Sequence, residues 1–272
     1  MTGDTADIAR AANKVAYELQ SAGQKKELSP HLKHESIRTL YAGLVRDVFE
    51  AASSGSGAPR LLDLGAGDGL VTLPFLELGA QVTAVDLSER QLAVLASRCD
   101  AHAERLTCVE SDIFAFLGED AGVYDVVVMN SFIHHIPDYL GLMKLIDARI
   151  APGGQFFSFQ DPMRYDTIGT PVRLYSEATY AAWRFTQPDS LGGLARKLRR
   201  WRGEYRDDSV HDNAEFHVVR EGVDQNALRD FFEAMGYGVR VVSYFSTQAT
   251  LFQTLGDRLG FRNQFALIAQ RH

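Results

Sequence analysis

Apolar residues along this chain follow two periodicities. Seven short runs rich in valine, leucine, isoleucine and phenylalanine have the length and composition of buried strands. These runs are 60–64, 81–85, 106–110, 124–129, 155–159, 239–245 and 263–269. Segments with apolar residues at helical spacing separate most of them, and this alternation predicts a largely parallel sheet that is covered by helices.

The run at 124–129, YDVVVM, is apolar almost throughout. Such a run is typical of a strand buried on both faces, so we expect it at the centre of the sheet. A first connecting helix is predicted to start near Gly69, and an APGG turn at 151–154 leads into the fifth strand. The other predicted helices are 88–103, 138–150, 225–235 and 247–259.

Two helical patterns precede the first strand. Ile8, Ala12 and Leu19 lie on one stripe, and a second helix is predicted from Ser29-Pro30 through Val48. One interpretation is that these helices simply pack against the core. The other is that residues 1–57 form a helical lid over a ligand. The residues that would then line the pocket are Tyr17, His31, Lys33, His34 and Tyr41.

A long segment separates the fifth strand from the helix at 225–235. Residues 162–222 are rich in aromatic and basic side chains. A connection of this length in a compact domain is rarely structureless, so we predict a helical insertion that covers the active site of a core domain at 58–272. Its basic cluster is either a solvated helix face or a site for a phosphate, a carboxylate or an acidic carrier protein. The cluster consists of Arg196, Lys197, Arg199, Arg200 and Arg202.

The composition indicates a globular protein. The chain has 272 residues, of which 46% are hydrophobic and 23% charged, and its formal net charge is -7. This acidic balance argues against a general binder of nucleic acid or of anionic membranes, both of which need a basic face. Cys99 and Cys108 lack the spacing of a disulfide framework or a zinc site. No run approaches the ~20 apolar residues of a membrane span, and the N-terminus has no apolar signal core, so we expect a soluble, cytoplasmic protein.

The most informative stretch is 60–70, RLLDLGAGDGL. It predicts a buried strand that turns sharply into a helix, and its glycines allow both the turn and a ligand against the main chain. The dinucleotide fingerprint GxGxxG fails because Leu70 stands at the third glycine position. The pattern present is D-x-G-x-G-x-G, with Asp63 two residues before Gly65. Through this motif, residues 58–160 resemble the class I S-adenosylmethionine-dependent methyltransferases.

The resemblance implies an α/β, Rossmann-like fold whose seven-stranded mixed sheet has six parallel strands and one antiparallel strand. It also implies S-adenosyl-L-methionine as the cofactor and S-adenosyl-L-homocysteine as the product. Asp86 ends the second strand, where a carboxylate suits the two hydroxyls of a ribose but also suits a helix cap, for which Ser88 competes. Asp112 corresponds to the acid that accepts from the adenine amino group, and it is equally suited to a cap. The expected cofactor-binding residues are Asp63, Gly65, Ala66, Gly67, Asp86, Leu87, Asp112, Ile113, Asn130 and Ser131.

Residues 130–135 follow the central strand, beside the point where the strand order should reverse. We therefore expect them to face the sulfonium and its methyl group. His134 and His135 are candidate catalytic residues, because an imidazole can take a proton from a hydroxyl or an amine. Their alternative role is to orient the loop. A metal site of His134, His135 and Asp138 is not expected, since adjacent side chains point in different directions.

The end of the fifth strand supplies further candidates on the same side of the sheet. Asp161 is a second candidate base, although a carboxylate before Pro162 could also shape a turn. Gln160 and Tyr165 are expected to bind substrate, together with the residues of the N-terminal lid.

These observations predict methyl transfer to a small-molecule acceptor in bacterial-type secondary metabolism, with oxygen or nitrogen favoured and carbon open. The NPPY signature of amino methylation is absent, since residues 130–133 read NSFI. One alternative is an NAD(P)-dependent oxidoreductase, against which Leu70 counts. The other is a methyltransferase-like protein that binds the cofactor without transferring its methyl group. We expect no nucleic-acid or membrane partner, and the sequence leaves a monomer and a homodimer open.

Overall fold

The fold is built on one seven-stranded sheet. The computed structural model describes residues 8, 11–12, 33–53, 57–119, 122–186, 199, 204–205 and 216–272. The strands are β1 (Arg60–Leu64), β2 (Gln81–Asp86), β3 (Leu106–Glu110), β4 (Tyr124–Asn130), β5 (Ile150–Pro162), β6 (Tyr237–Tyr244) and β7 (Gln264–Arg271). Their order across the sheet is β3-β2-β1-β4-β5-β7-β6, and only β7 runs antiparallel to its neighbours. The predicted sheet of six parallel strands and one antiparallel strand is confirmed.

Helices cover both faces of this sheet. They are α1 (Glu35–Ala52), α2 (Thr72–Leu78), α3 (Glu89–Arg98), α4 (Ile113–Glu119), α5 (Tyr139–Asp147), α6 (Thr170–Phe185), α7 (Gln225–Ala234) and α8 (Thr250–Arg258). Side chains alternate along each strand, so that Leu61 packs in one core cluster with α1, α2 and α3 while Leu62 packs in the other with α4, α5 and α7. In the described part of the chain, no helix combines the length and the apolar character needed to span a membrane.

Several elements begin or end at other residues than predicted. Helix α2 begins at Thr72, because residues up to Val71 are taken up by the glycine turn. Helix α5 begins at Tyr139, where the Asp138 side chain caps it by accepting from the Gly141 N–H at 3.0 Å. Helix α3 ends at Arg98 and is followed by a separate 3-10 turn, Asp100–Arg105.

Strand β5 is longer than predicted at both ends. The APGG segment belongs to it, with a register shift against β4 between Tyr124 and Val126. At the other end the strand continues to Pro162 because β7 pairs with it beyond Gln160. This extension brings Asp161 into the sheet.

The N-terminal helix packs on the sheet. Helix α1 buries Ile37, Leu44, Val45 and Val48 in the core. It does not run continuously from Pro30, since His34 is in an extended conformation with φ -93° and ψ 128°. Of the predicted helix at 5–19, only Ile8 and two alanines are described, and Tyr17 and His31 lie outside the described residues.

The strand order reverses between β1 and β4. Strand β3 lies at one edge of the sheet, and the chain returns to place β4 on the far side of β1. In open α/β sheets, ligands bind beyond the carboxyl ends of the strands at such a point. The carboxyl ends of β1, β2, β4, β5 and β6 meet at one edge, which we call the ligand edge.

Candidate active site

The glycine turn after β1 is held against β2. The N–H groups of Gly65 and Ala66 both donate to the Val85 carbonyl, at 2.9 and 3.1 Å. Gly65 has φ 74°, and a Cβ at this position would lie 2.2 Å from the Phe132 ring. Any side chain here would therefore collide with Phe132 as well as strain the backbone. The turn presents bare main chain at the ligand edge.

Asp86 organises this turn from the end of β2. Its carboxylate accepts from the Gly67 N–H at 2.8 Å and from the Ser88 N–H at 2.9 Å. The cap of α3 is Ser88, whose hydroxyl accepts from the Gln91 N–H. Asp86 is therefore not the helix cap, and its carboxylate lies beside the glycine turn, followed by the partly buried Leu87.

Asp63 anchors the turn from inside. The Thr72 hydroxyl donates to the buried Asp63 carboxylate at 2.6 Å, which ties the end of β1 to the first residue of α2. A second acid of the turn, Asp68, pairs with Arg98 of α3 at 3.1 Å. Sequence reasoning missed Thr72 and Arg98, because neither contact is local to the motif.

Asp112 caps α4. Its Oδ1 accepts from the N–H groups of Phe114 and Ala115, at 3.0 and 3.2 Å. The neighbouring Ile113 is buried in the same core cluster as Val85. Asp112 therefore takes the capping role that its position at the start of a helix predicted, and a carboxylate has several acceptor positions, so a cap does not exclude adenine recognition.

Two residues at the end of β4 have features typical of a ligand site. The buried Asn130 Oδ1 has no hydrogen-bond partner in the described part of the chain. Ser131 has φ 51°, which is strained for a serine, and its N–H donates to the Phe159 carbonyl at 2.7 Å. Such strain and unpaired polar atoms occur where a ligand completes a site.

His134 and Asp161 form a buried pair across β4 and β5. His134 lies on a 3-10 turn, Ile133–His135, after β4. Its Nδ1 lies 2.8 Å from Asp161 Oδ1, and its backbone N–H donates to the same oxygen at 3.1 Å. A carboxylate only accepts hydrogen bonds, so Nδ1 carries the proton and Nε2 is the basic nitrogen of the ring. The His135 ring lies 4.1 Å from that of His134, and both are buried.

Asp161 is fully buried and only partly satisfied. Its Oδ2 has no hydrogen-bond partner in the described part of the chain. A buried carboxylate oxygen of this kind costs free energy unless a water molecule or a ligand hydrogen-bonds to it. Asp161 is thus placed to orient His134, and it does not simply shape the turn before Pro162.

An aromatic wall continues the site from β5 to β6. The Phe159 ring stacks on Tyr244 at 5.0 Å and lies 4.9 Å from Tyr41 of α1. The Tyr244 hydroxyl donates to Gln160 Oε1 at 3.0 Å. Burial raises the pKa of Tyr244, and the nearby Asp161 charge adds to this. The end-of-strand position of Tyr244 was the sequence signal that could have identified it.

Tyr41 carries a buried hydroxyl that has no hydrogen-bond partner in the described chain. Its pKa is raised well above the usual value by burial and by the charge of Asp63. A neutral donor without a partner therefore lies near the carboxyl end of β1.

His34, which precedes α1, joins this helix to the loop after β6. Its Nε2 lies 2.7 Å from the Thr247 carbonyl, to which it donates, and its buried Nδ1 has no partner in the described residues. Burial lowers the pKa of His34. The Thr247 hydroxyl donates to that of Thr179, so this contact also fixes α6.

A further histidine, His217, lies behind the histidine pair and was not predicted. Its backbone N–H donates to the His134 carbonyl at 2.8 Å, and its Nε2 lies 3.0 Å from the Ile136 carbonyl. Burial lowers its pKa. His217 lines a cavity of about 490 Å³ together with Pro137, Tyr205, Phe216, Arg220 and Glu221.

Other predicted residues have different environments. The Tyr165 hydroxyl donates to the Val218 carbonyl, so it fastens the segment after β5 to the returning chain. In the basic cluster only Arg199 is described, and Arg196, Lys197, Arg200 and Arg202 lie outside the described residues. Among the described residues, no group of three or more histidines, cysteines and acids could hold a metal ion.

Comparison with known proteins defines the family. Residues 26–240 match the model of a methyltransferase domain. A ubiquinone biosynthesis O-methyltransferase from Vibrio parahaemolyticus is 31% identical over 123 residues, which are 45% of this chain and 49% of that protein. Its counterpart from Bordetella pertussis is 30% identical over 169 residues, which are 60% and 68% of the two chains. The alignment thus spans about half of the former relative and two thirds of the latter.

Solved structures show the same fold at low identity. The magnesium protoporphyrin IX methyltransferase ChlM from Synechocystis PCC 6803, with bound SAH, aligns with a TM-score of 0.55 and 14% identity over 99% of this chain and 100% of its own. The plantazolicin methyltransferase BpumL, in complex with SAH, gives a TM-score of 0.55 and 10% identity over 98% of both chains.

The fold, the glycine turn and the family match agree with one another. The chain belongs to the class I S-adenosylmethionine-dependent methyltransferases, as its motif predicted. The structure also fits the cofactor. A bare main-chain turn and the carboxylates of Asp86 and Asp112 follow neighbouring strands, and the buried Asn130 oxygen makes no hydrogen bond to the described residues.

Proposed function

We propose that this protein transfers a methyl group from S-adenosylmethionine to a hydroxyl oxygen of a small-molecule acceptor. The observation that carries this proposal is the His134–Asp161 pair, which supplies an oriented basic nitrogen at the ligand edge. Oxygen is favoured over nitrogen or carbon because two relatives of about 30% identity are named O-methyltransferases.

The cofactor would be held by the residues of the glycine turn and the strand ends. Asp86 would accept from the ribose hydroxyls, Asp112 from the adenine amino group, and the main chain of 65–67 would lie against the ligand. Leu87 and Ile113 would flank the adenine, while Asp63, Asn130 and Ser131 would shape the methionine end.

S-adenosylmethionine supplies an activated methyl group on a sulfonium, so the O–CH3 bond forms as the CH3–S bond breaks and sulfur keeps the electron pair. An alcohol or phenol must also lose its hydroxyl proton, and residues of this chain accept it. His134 takes the hydroxyl proton at Nε2, and Asp161 holds the ring and stabilises the positive charge that develops on it. Burial of the pair keeps water from competing for that nitrogen.

The acceptor would lie between the histidine turn and the aromatic wall. Gln160, Tyr41 and His34 would contact it or close over it, His135 would pack beside it, and helix α1 would act as the lid. Residues 162–222 would cover the site as a helical insertion. If the acceptor carries a phosphate, a carboxylate or an acidic carrier protein, the basic cluster would bind that group. A role in secondary metabolism stays a prediction.

Two measurements test this function. Titration calorimetry with S-adenosylmethionine, S-adenosylhomocysteine and NADH identifies the cofactor, and NADH binding without S-adenosylmethionine binding would refute it. Incubation with cofactor that carries a 13C-labelled methyl group, together with phenol, amine and enol acceptors, then reports by NMR which atom is methylated. A new O–CH3 signal supports the proposal. N–CH3 or C–CH3 products alone would show that nitrogen or carbon, and not oxygen, accepts the methyl group. Bound cofactor with no methylated product from any acceptor would favour a non-transferring protein.

A further inference from the structure

Gln160 is an extra residue in the sheet. Phe159 pairs with Ala266 of β7 and Asp161 pairs with Phe265, so Gln160 has no partner of its own and forms a β-bulge. Its φ is 68°, in the left-handed region that a glutamine rarely adopts. Bulges and strained residues of this kind are found beside active sites, where they redirect a side chain. A glycine would adopt this φ without strain, yet the chain has a glutamine at this position. A role for the Gln160 side chain would offset this strain.

The orientation of the Gln160 amide is fixed by its neighbours. The Tyr244 hydroxyl donates to Oε1 at 3.0 Å, so the other end of the amide is the NH2 group. This group makes one long bond, 3.4 Å, to the Ser246 hydroxyl. An amide nitrogen has two N–H donors, and the second makes no hydrogen bond to the described residues. The residue is only 8% exposed, so this donor is withheld from bulk solvent.

Gln160 adjoins the proposed base. The next residue, Asp161, holds His134 through Oδ1 and leaves Oδ2 buried without a partner. The bulge residue with this spare donor is thus the immediate chain neighbour of the residue that orients the proton acceptor. A ligand hydroxyl that loses its proton to His134 would have its neighbouring atoms next to the Gln160 amide.

We propose that Gln160 is a specificity-determining residue, whose amide N–H donates to a second oxygen of the acceptor adjacent to the hydroxyl that is methylated. This inference rests on the proposed O-methylation. The preferred acceptors are those with an oxygen on the neighbouring carbon, and the recognised oxygen is a hydrogen-bond acceptor, so an ether or carbonyl serves as well as a hydroxyl. Tyr244 orients the Gln160 amide and does not itself hydrogen-bond to the methyl acceptor.

Two isomeric probes isolate this contact. Ortho-methoxyphenol and para-methoxyphenol each have one hydroxyl and one ether oxygen, and they differ in whether that oxygen is adjacent. We expect the wild-type kcat/KM to be roughly tenfold or more higher for the ortho isomer, as for one good hydrogen bond. In Gln160→Met the ratio should fall close to one, mainly through a higher KM for the ortho isomer. In Tyr244→Phe, which keeps the ring stack, the ratio should fall part of the way.

Gln155→Met is the matched control. Gln155 is also a buried glutamine of β5, but it lies in the middle of the strand, and its amide donates to the Val48 carbonyl of α1 at 2.9 Å. Its replacement can lower the melting temperature but should leave the ortho to para ratio unchanged. A purely structural role of Gln160 would lower kcat/KM for both isomers alike, and an unchanged ratio in Gln160→Met would overturn the inference. Methylation of either isomer by the wild type upholds O-methylation whatever the ratio. Methylation of neither, with cofactor bound, would overturn both.

Discussion

Asp161 accepts two hydrogen bonds from a single residue, one from the His134 backbone N–H at 3.1 Å and one from its ring Nδ1 at 2.8 Å. The carboxylate therefore fixes both the position of the turn and the tautomer of the ring. Asp161 lies near the end of β5, and His134 lies on the turn that follows the neighbouring strand β4, so the pairing of these two strands brings the residues together.

This geometry predicts unequal losses of activity. His134→Gln removes the base and should lower kcat by about 10²- to 10⁴-fold while cofactor affinity stays near normal. Asp161→Asn should have a smaller effect, since the ring remains but loses its orienting carboxylate. The double variant should be no worse than His134→Gln, because the two groups act as a unit. Single-turnover rates measured across pH report this, and the acid limb of the wild-type profile should vanish in His134→Gln.

The control is His102→Gln, which changes a histidine in the turn before β3, away from the ligand edge. Its kcat should match the wild type. Full activity in His134→Gln would show that positioning of the acceptor is sufficient and that no histidine base is used.

Asp86→Ala should weaken cofactor binding by about 1 to 3 kcal/mol, the range for losing a charge-assisted hydrogen bond. Part of the loss comes from the glycine turn, because the Gly67 N–H loses its acceptor at 2.8 Å. Titration calorimetry with S-adenosylhomocysteine measures it. Asp125→Ala is the comparison variant: Asp125 accepts from the Arg60 N–H at 2.7 Å, at the start of β1, and its loss should leave affinity unchanged. Equal affinity of both variants for S-adenosylhomocysteine would show that Asp86 does not contribute to cofactor binding.

Tyr41→Phe should separate stability from function. Because the Tyr41 hydroxyl is buried without a partner in the described chain, its removal should raise the free energy of unfolding by about 1 kcal/mol in the absence of ligand. If the hydroxyl serves a ligand, the same change should lower affinity for the cofactor or the acceptor. Urea unfolding with and without S-adenosylmethionine measures both.

Tyr237→Phe provides the opposite case. The Tyr237 hydroxyl donates to Asp147 at 2.7 Å, so its removal should destabilise the protein. A loss of stability in Tyr41→Phe as large as in Tyr237→Phe would contradict an unpaired hydroxyl.

Stability should fall on acidification from pH 7.5 to 5.5. Burial lowers the pKa of His34 and His217 below the 6.5 of an unfolded histidine. As pH falls through 6.5, the unfolded chain binds protons at these positions before the folded chain does, so protonation favours unfolding. His34→Gln and His217→Gln should each reduce the slope of melting temperature against pH, and glutamine keeps a donor near the position of Nε2. A slope that is identical in both variants and the wild type would contradict neutral buried histidines.

The sequence by itself determined the sheet, the family and the glycine turn against which we propose that the cofactor binds. Apolar runs of strand length specify buried strands because burial is the dominant stabilising term, and the DLGAGDG turn fixes local backbone geometry through its glycines. The ends of helices and strands were less well determined. The ends of α2, α5 and β5 depended on the turn geometry, on the cap by Asp138 and on pairing with β7.

The tertiary structure decided which of the alternative roles each polar residue takes. Ser88 and not Asp86 caps α3, and the carboxylate of Asp86 turns to the glycine loop. His134 meets Asp161 across 27 residues, and Tyr244 meets Gln160 across 84. Such contacts follow from strand order and from one bulge, which no local pattern encodes, because a carboxylate or an imidazole has the same propensity in any of these roles until its neighbours in space are fixed.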